Sequence, residues 1–571
     1  MSRTAITSFV FVFFVLTPCF GQPRITPMGE LPPDARLSPL KDLNGYFPMV
    51  PPKDEHEWAG RRRYVKRKML VALGLWPLPE KTPLNAVIHS RKEMDGYTIE
   101  KVYFETMPGY FLTGNLYRPL NLHALTGKNP GILCPHGHWR NGRFYDAPQS
   151  TLERQLSDGA EKFKQGGRNP IQARSVHLAR LGCTVFAYDM VGYADNTQIS
   201  YNLAHGFAKQ RPQMSQADHW GFFSPQAESH LQNIMGLQTW NSIRAIDFIS
   251  SLNEVDKNRI AVTGASGGGT QTFIVSALDP RVKVSMPAVM VSTAMQWGST
   301  SENTCLLRVG AGNVDFAAMF APKPLGLTAA DDWTVEMETK GFPELKQLYT
   351  LLGKKENLHL EAHLNYPHNY NYVCRKAMYA FMNEHLGLGY REVPSERDYV
   401  YQAQEDLTVW NDEHPAPQGG EDFEATMLQS WHNDSQEKLE RLIPKQPKTL
   451  REFKEIVGGG IDIVVGQGLP KATRLDWKQT YKQSNNGCLE IGGTLCNLDS
   501  NSANPILFLY PEVWNQKVVL WVTETGKAGL YLDDGSLIPA VQSLIDQQYL
   551  SLIHISEPTR PLYISYAVFC L

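Results

Sequence analysis

Apolar and polar positions alternate along residues 97–104 and again along 110–117, with Gly109 between the two runs. Period-two alternation around a glycine predicts two antiparallel strands joined by a tight turn. Beyond them, short apolar runs take turns with helical periodicity. Residues 130–134 read as a buried strand ending at the polar, glycine-containing cluster 135–138. A helix over 175–181 is closed by Gly182, and the strand 183–188 ends in Asp189. Trp240, Ile243, Ile246, Ile249 and Leu252 then recur at helical spacing before a strand over 259–263 and a helix over 270–278. Strands over 324–330 and 358–362 and an amphipathic helix over 373–386 complete the series. Strands and helices in strict alternation predict a mostly parallel sheet with helices on both faces.

This main unit is expected over 95–390, preceded by an N-terminal segment, 22–94. Residues 391–475 are polar, with a linker-like stretch at 415–420, a helix over 423–443 and the glycine run 458–460. Farther on, the apolar strand 518–522, a polar loop and the helix 540–547 repeat the order of 132–186. They predict the opening part of a second, related α/β unit over 476–549.

Both ends call for a different reading. Arg3, the apolar run 9–16 and the small residues before Gly21 have the form of a secretory leader over 1–21. Eight apolar residues reach only about 12 Å as a helix, against about 30 Å of bilayer core, so this is no membrane span. Export to a secreted or periplasmic location is expected, with no membrane span in the mature protein. At the other end, 550–560 (LSLIHISEPTR) and 564–571 (ISYAVFCL) resemble the in-frame translation of a sequencing adapter. The tail 550–571 is therefore expected to pack against nothing, and the natural chain to continue past Tyr549.

With 571 residues there is material for two or more folded units. The 55 basic and 58 acidic residues leave a net charge of −3, which provides no field for a polyanion and argues against nucleic-acid binding. Cys19 falls in the leader and Cys570 in the tail, and the pairing of the other cysteines is not set by their spacing.

The chemistry concentrates in Gly264-Ala265-Ser266-Gly267-Gly268, placed between a strand and a helix. A serine at such a turn adopts a strained conformation, which requires small residues two before and two after it. The turn lifts Oγ out of the sheet and leaves the Gly267 N–H at a helix start, where it can receive an oxyanion. An acid and a histidine should follow in that order from later strand ends. Asp331 and Asp332 follow one strand and His368 the next. Asp332 is the preferred acid, Asp331 the alternative by one residue, and Glu336 a more distant candidate. His136-Gly137-His138-Trp139 follows the strand 130–134, where the His138 backbone N–H can complete the oxyanion site and His136 reads as structural. The same HxH pair could bind a metal, but further ligands are not evident. The triad needs no metal or organic cofactor. Trp139, Trp220, Trp297, Trp333 and Tyr366 offer aromatic faces for stacking on sugars, although each could equally anchor the core or a lid.

The motifs PHGHW (135–139), YDMVGY (188–193), TGASGGGTQT (263–272), DDWT (331–334) and YPHNYN (366–371) together resemble the α/β-hydrolase superfamily, in its secreted acetyl xylan esterase and dienelactone-hydrolase-like branch. The resemblance covers 95–390 and implies a serine hydrolase acting on polysaccharide or small esters. Insertions at 140–170 and 196–232 fall where substrate pockets form, so the ester itself is not carried over. The alternatives are a peptidase on the same fold, or a non-catalytic, polysaccharide-binding tandem scaffold.

Overall fold

A computed structural model describes residues 23–26, 32–39, 42–121, 127–139, 141–206, 211–296, 298–466, 470–521 and 526–554, the last four by backbone only. The expected leader, Trp297 and the tail from 555 lie outside these residues. The chain divides into two units: one holds 42–466, and the other joins 23–39 to 470–554.

The first unit is built on a nine-stranded sheet. In chain order its strands are β1 (Val87–Glu93), β2 (Tyr97–Met107), β3 (Tyr110–Pro119), β4 (Asn129–Leu133), β5 (Thr184–Tyr188), β6 (Val255–Ala265), β7 (Val282–Ala288), β8 (Leu325–Asp331) and β9 (Leu358–Pro367). Their spatial order is β1-β2-β3-β5-β4-β6-β7-β8-β9. β1 to β3 form an antiparallel meander, with Gly109 at φ +71° in the β2–β3 turn. β3 meets β5 antiparallel, and every later pairing is parallel.

The central strands are buried on both faces, and neighbouring residues on them serve different cores. Leu133 and Phe186 belong to one apolar cluster, while Ile132, Cys134, Val185 and Ala187 belong to the other. The helices α1 (Glu55–Ala72), α2 (Pro170–Arg180), α3 (Ile234–Ser251), α4 (Gly267–Leu278) and α5 (Tyr372–Leu386) contribute to these clusters. α2 starts five residues before the expected 175, because Pro170 sits in its first turn and the Asn169 side chain accepts from the Ile171 and Gln172 N–H groups.

The domain boundaries read from the sequence need correction. Residues 391–466, read as a polar linker and helical segment outside the main unit, belong to the first unit. Leu407 and Tyr399 enter one core cluster, and Met427, Leu428 and Trp431 of α6 (Glu421–Leu442) enter the other. The polar texture misleads because α6 buries only a narrow stripe and leaves the rest of its surface to water. Glu424 on that stripe is compensated by Arg211, whose Nη2 lies 2.6 Å from Oε1. Gly459 and Gly460, read as part of a glycine-rich connection, open the helix Gly459–Val465. The N-terminal segment is also divided, 23–39 going with the second unit and 42–94 with the first.

The second unit contains β10 (Leu475–Asn485), β11 (Cys488–Asn497), β12 (Ser502–Pro511), β13 (Val518–Trp521) and β14 (Leu550–His554), with α7 (Pro539–Asp546) between the last two. Their order is β10-β11-β12-β14-β13: three antiparallel pairings followed by one parallel pairing. That is the order and direction of β1-β2-β3-β5-β4. Residues 550–554 thus pair on both sides, and the expectation that nothing packs from 550 onward fails for them. An apolar run of this kind has strand propensity and pairs readily with exposed neighbours. Among the described residues no helix is long and apolar enough to cross a membrane.

Trp431 is 4% exposed within the larger core cluster. Trp431→Ala should cost about 3–5 kcal/mol in urea unfolding. A change within about 0.5 kcal/mol, as expected for a linker surface, would contradict the placement of α6.

Candidate active site

Ser266 lies between the end of β6 and the start of α4 with φ +58° and ψ −130°, a region that non-glycine residues rarely occupy. The turn is held by backbone packed on backbone. A Cβ on Gly264 would lie 2.5 Å from the Pro135 carbonyl oxygen, and one on Gly268 would lie 2.4 Å from the same atom. A Cβ on Gly137 would meet the Ser266 Cβ at 2.7 Å. The cluster after β4 is therefore pressed against the serine turn, and both its own glycine and those of the turn are sterically required.

β8 and β9 deliver the next two residues. Their parallel register runs evenly to Ala330 opposite His363, and then Asp331 stands opposite Pro367. The additional residues in β9 form a bulge that places His368, rather than Asn365, beside Asp332. Asp332 Oδ2 lies 2.7 Å from His368 Nδ1. Asp332 Oδ1 accepts from the Thr334 N–H at 2.6 Å and from its hydroxyl at 2.5 Å. The carboxylate side chain is 4% exposed and the imidazole 25%. His368 Nε2 is buried and has no hydrogen-bond partner among the described residues, so it is not hydrogen-bonded to Ser266 Oγ. Asp331 is exposed at the strand end, and Glu336 pairs with Lys340 at 2.7 Å, away from the imidazole.

His136 and His138 have different surroundings. His136 is fully buried; its Nδ1 is 2.8 Å from the Gly137 carbonyl oxygen, and its Nε2 accepts from the Met190 N–H at 3.1 Å. With both nitrogens engaged it braces the loop, and burial holds its pKa down to about 3. His138 turns its ring over Gly267, where a Cβ would lie 2.8 Å from the imidazole Cε1. Its Nε2 is 3.2 Å from the Ser299 hydroxyl and 3.3 Å from that of Ser301. Burial, with nearby His368 adding to it, lowers its pKa to about 4, so the ring is neutral. Among the described residues no group of three or more His, Cys, Asp or Glu side chains is placed to hold a metal ion.

Several neighbours were not evident in the sequence. Glu302 is fully buried, accepts from the Thr270 hydroxyl at 3.2 Å and has Oε2 3.9 Å from His138 Nδ1. Burial pushes its carboxyl up to about 7, against the hydrogen bonds from Thr270 and the Gly298 backbone. His205, Tyr193 and Tyr201 continue the row of rings outward from His138. Glu302 and His205 stand outside any recognisable spacing, and only the fold gathers them. The aromatic candidates also separate. Trp333 packs its ring 4.3 Å from that of His368. Trp139 packs on a core cluster, Trp220 is buried with its Nε1 donating to Gln232, and Tyr366 is partly exposed.

Comparison with known proteins gives a consistent picture. A family model described as glucuronyl esterase, fungi, matches residues 185–298, which include the serine turn. YtaP of Bacillus subtilis (strain 168), designated a hydrolase, is 26% identical over 237 residues, or 39% of this chain and 62% of that protein. The chain thus spans under two thirds of that relative's length. The solved structure of methylesterase BT1017 is 21% identical, with a TM-score of 0.50 over 71% of this chain and 78% of that one.

The raised pKa of Glu302 has a consequence for stability. A carboxyl that keeps its proton in the folded state while the unfolded chain has lost it weakens folding as pH rises from the ordinary carboxylate range to about 7. Glu302→Gln removes that penalty. Relative to the parent, the variant should gain on the order of 1–3 kcal/mol between pH 5 and pH 8 in urea unfolding. A difference between the two proteins that does not vary with pH would show that Glu302 is ionised throughout.

Proposed function

We propose that this chain, which has the α/β-hydrolase fold, is an exported serine esterase that cleaves carboxylic esters carried by carbohydrates. The observations that carry the reading are the Asp332–His368 hydrogen bond of 2.7 Å and a serine held at φ +58° between strand and helix. Asp332 fixes the imidazole with Nδ1 protonated, which leaves Nε2 to accept the Ser266 proton as Oγ attacks the ester carbonyl. The oxyanion formed there is received by the backbone N–H groups of Gly267, at the positive end of α4, and of His138. Collapse of that adduct releases the alcohol, which takes the proton from His368. Water then repeats the same steps on the acyl-enzyme and frees Ser266.

The neutral His138 ring beside this site adds no charge that would compete with the developing imidazolium of His368. An acetyl ester on xylan is the first substrate to test. A second reading, a uronoyl ester, is favoured by the glucuronyl esterase model over 185–298. The rival classes are a peptidase and a non-catalytic scaffold. Labelling with a fluorophosphonate probe separates the scaffold from the enzymes. A screen over acetylated, feruloylated and glucuronoyl esters, with peptides alongside, separates the rest.

Ser266→Ala should leave the fold intact and lower ester turnover by about 10⁴-fold or more. Retention of a tenth of parental activity would assign the nucleophile elsewhere. His368→Ala should be comparably damaging, and Asp332→Asn more damaging than Asp331→Asn. The reverse order for the two aspartates would move the acid by one residue. EDTA should leave turnover unchanged, and a loss that zinc restores would assign His136 and His138 to a metal.

A further inference from the structure

Next to His138 a cleft of about 500 Å³ opens between residues 141–144 and 192–201. His138, Asn141, Tyr193, Thr197, Tyr201 and Gln404 are among its lining residues, and none of the described lining residues carries a charge at neutral pH. The lining combines aromatic rings with amide and hydroxyl groups that both donate and accept. Sugar hydroxyls need such mixed partners, and aromatic rings pack against the apolar faces of a pyranose.

The rings are arranged in series. His138 stacks near Tyr193 at 6.2 Å, and Tyr193 meets Tyr201 edge-on at 5.0 Å. The Tyr193 side chain is 3% exposed, and its hydroxyl makes no hydrogen bond of acceptable geometry. Tyr201 is 50% exposed, a large aromatic surface that the core does not require. Both rims are fixed. Arg143 of the first rim pairs with Asp189 at 2.7 Å, at the base of the second rim, and also with Asp195. A Cβ on Gly192 would lie 2.8 Å from the Tyr201 Cα, so this turn presses directly against the segment that carries Tyr201.

We infer that this cleft is a subsite for an uncharged sugar unit of the glycan whose ester reaches Ser266, with Tyr201 as its stacking platform. The inference rests on the esterase reading and deepens it: the enzyme binds a neutral oligosaccharide rather than an isolated sugar ester. It predicts that affinity for glycan is separable from ester chemistry.

Two measurements on the full chain test it. Calorimetric titration with unesterified xylotetraose, cellotetraose, galactotetraose and tetragalacturonate should detect binding of at least one neutral tetramer. Tyr201→Ala should weaken that binding tenfold or more, and Tyr201→Phe should retain it. For esters, the ratio of kcat/KM on an acetylated xylo-oligosaccharide to that on 4-nitrophenyl acetate should fall at least tenfold in Tyr201→Ala. Binding of tetragalacturonate alone, binding of none of the four, or an unchanged ratio would overturn the subsite. Hydrolysis of 4-nitrophenyl acetate by the parent in those cases would leave the esterase reading standing, and its absence would remove that reading.

Discussion

The site depends on backbone pressed against backbone with no space for a side chain. Gly264 and Gly268 close on the Pro135 carbonyl from the two sides of the serine turn, and Gly137 closes on Ser266 from the loop after β4. These contacts hold two segments more than a hundred residues apart at van der Waals distance. They also stabilise the unfavourable φ of Ser266, a strain of about 1–3 kcal/mol that a freer turn would relax. Because β4 and β6 are neighbours in the sheet, the required closeness follows from strand order. The strained serine is thus a product of sheet packing rather than of the turn alone.

Around this point the charge is graded. Asp332 is nearly buried, accepts from Thr334 and lies 2.7 Å from His368 Nδ1. On the other side, His136, His138 and His205 are all held neutral by burial, near 3 to 4. Glu302 is driven the same way, toward its uncharged form. Of these four histidines only His368 is hydrogen-bonded to a carboxylate; the others bond to backbone groups or hydroxyls, with Asp189 and Glu302 at 3.9 Å from His136 and His138, and this difference gives otherwise similar side chains different surroundings.

How much of this could be read from the chain depended on range. Residues 259–278 announce themselves locally, since the strand, the glycine spacing and the helix are contiguous. Asp332 could be placed only to within one residue, because the bulge in β9 that sets its partner leaves no mark on hydrophobic periodicity. Glu302 and Tyr201 were missed for the same reason: Glu302 lies in the connection after β7 and Tyr201 opens the short helix Tyr201–His205 after β5, and each acquires its neighbours only when β5 and β7 align. The misreading of 391–466 has a different cause. An amphipathic helix with a narrow apolar stripe has the composition of a linker, and only its contacts with the core distinguish the two.

The second unit repeats the strand order that opens the first. Its five strands reproduce the opening five of the first, and they suffice to enclose a core around Leu507, Leu509, Val541 and Ile545. Yet in the first unit the serine follows β6, Asp332 follows β8 and His368 follows β9, none of which has a counterpart among the described residues of the second. The opening five strands contribute the loop that faces the serine and the anchor points for the cleft, through Asp189 at the end of β5. The strands up to β5 position the loop that faces the serine turn, and Ser266, Asp332 and His368 follow β6, β8 and β9.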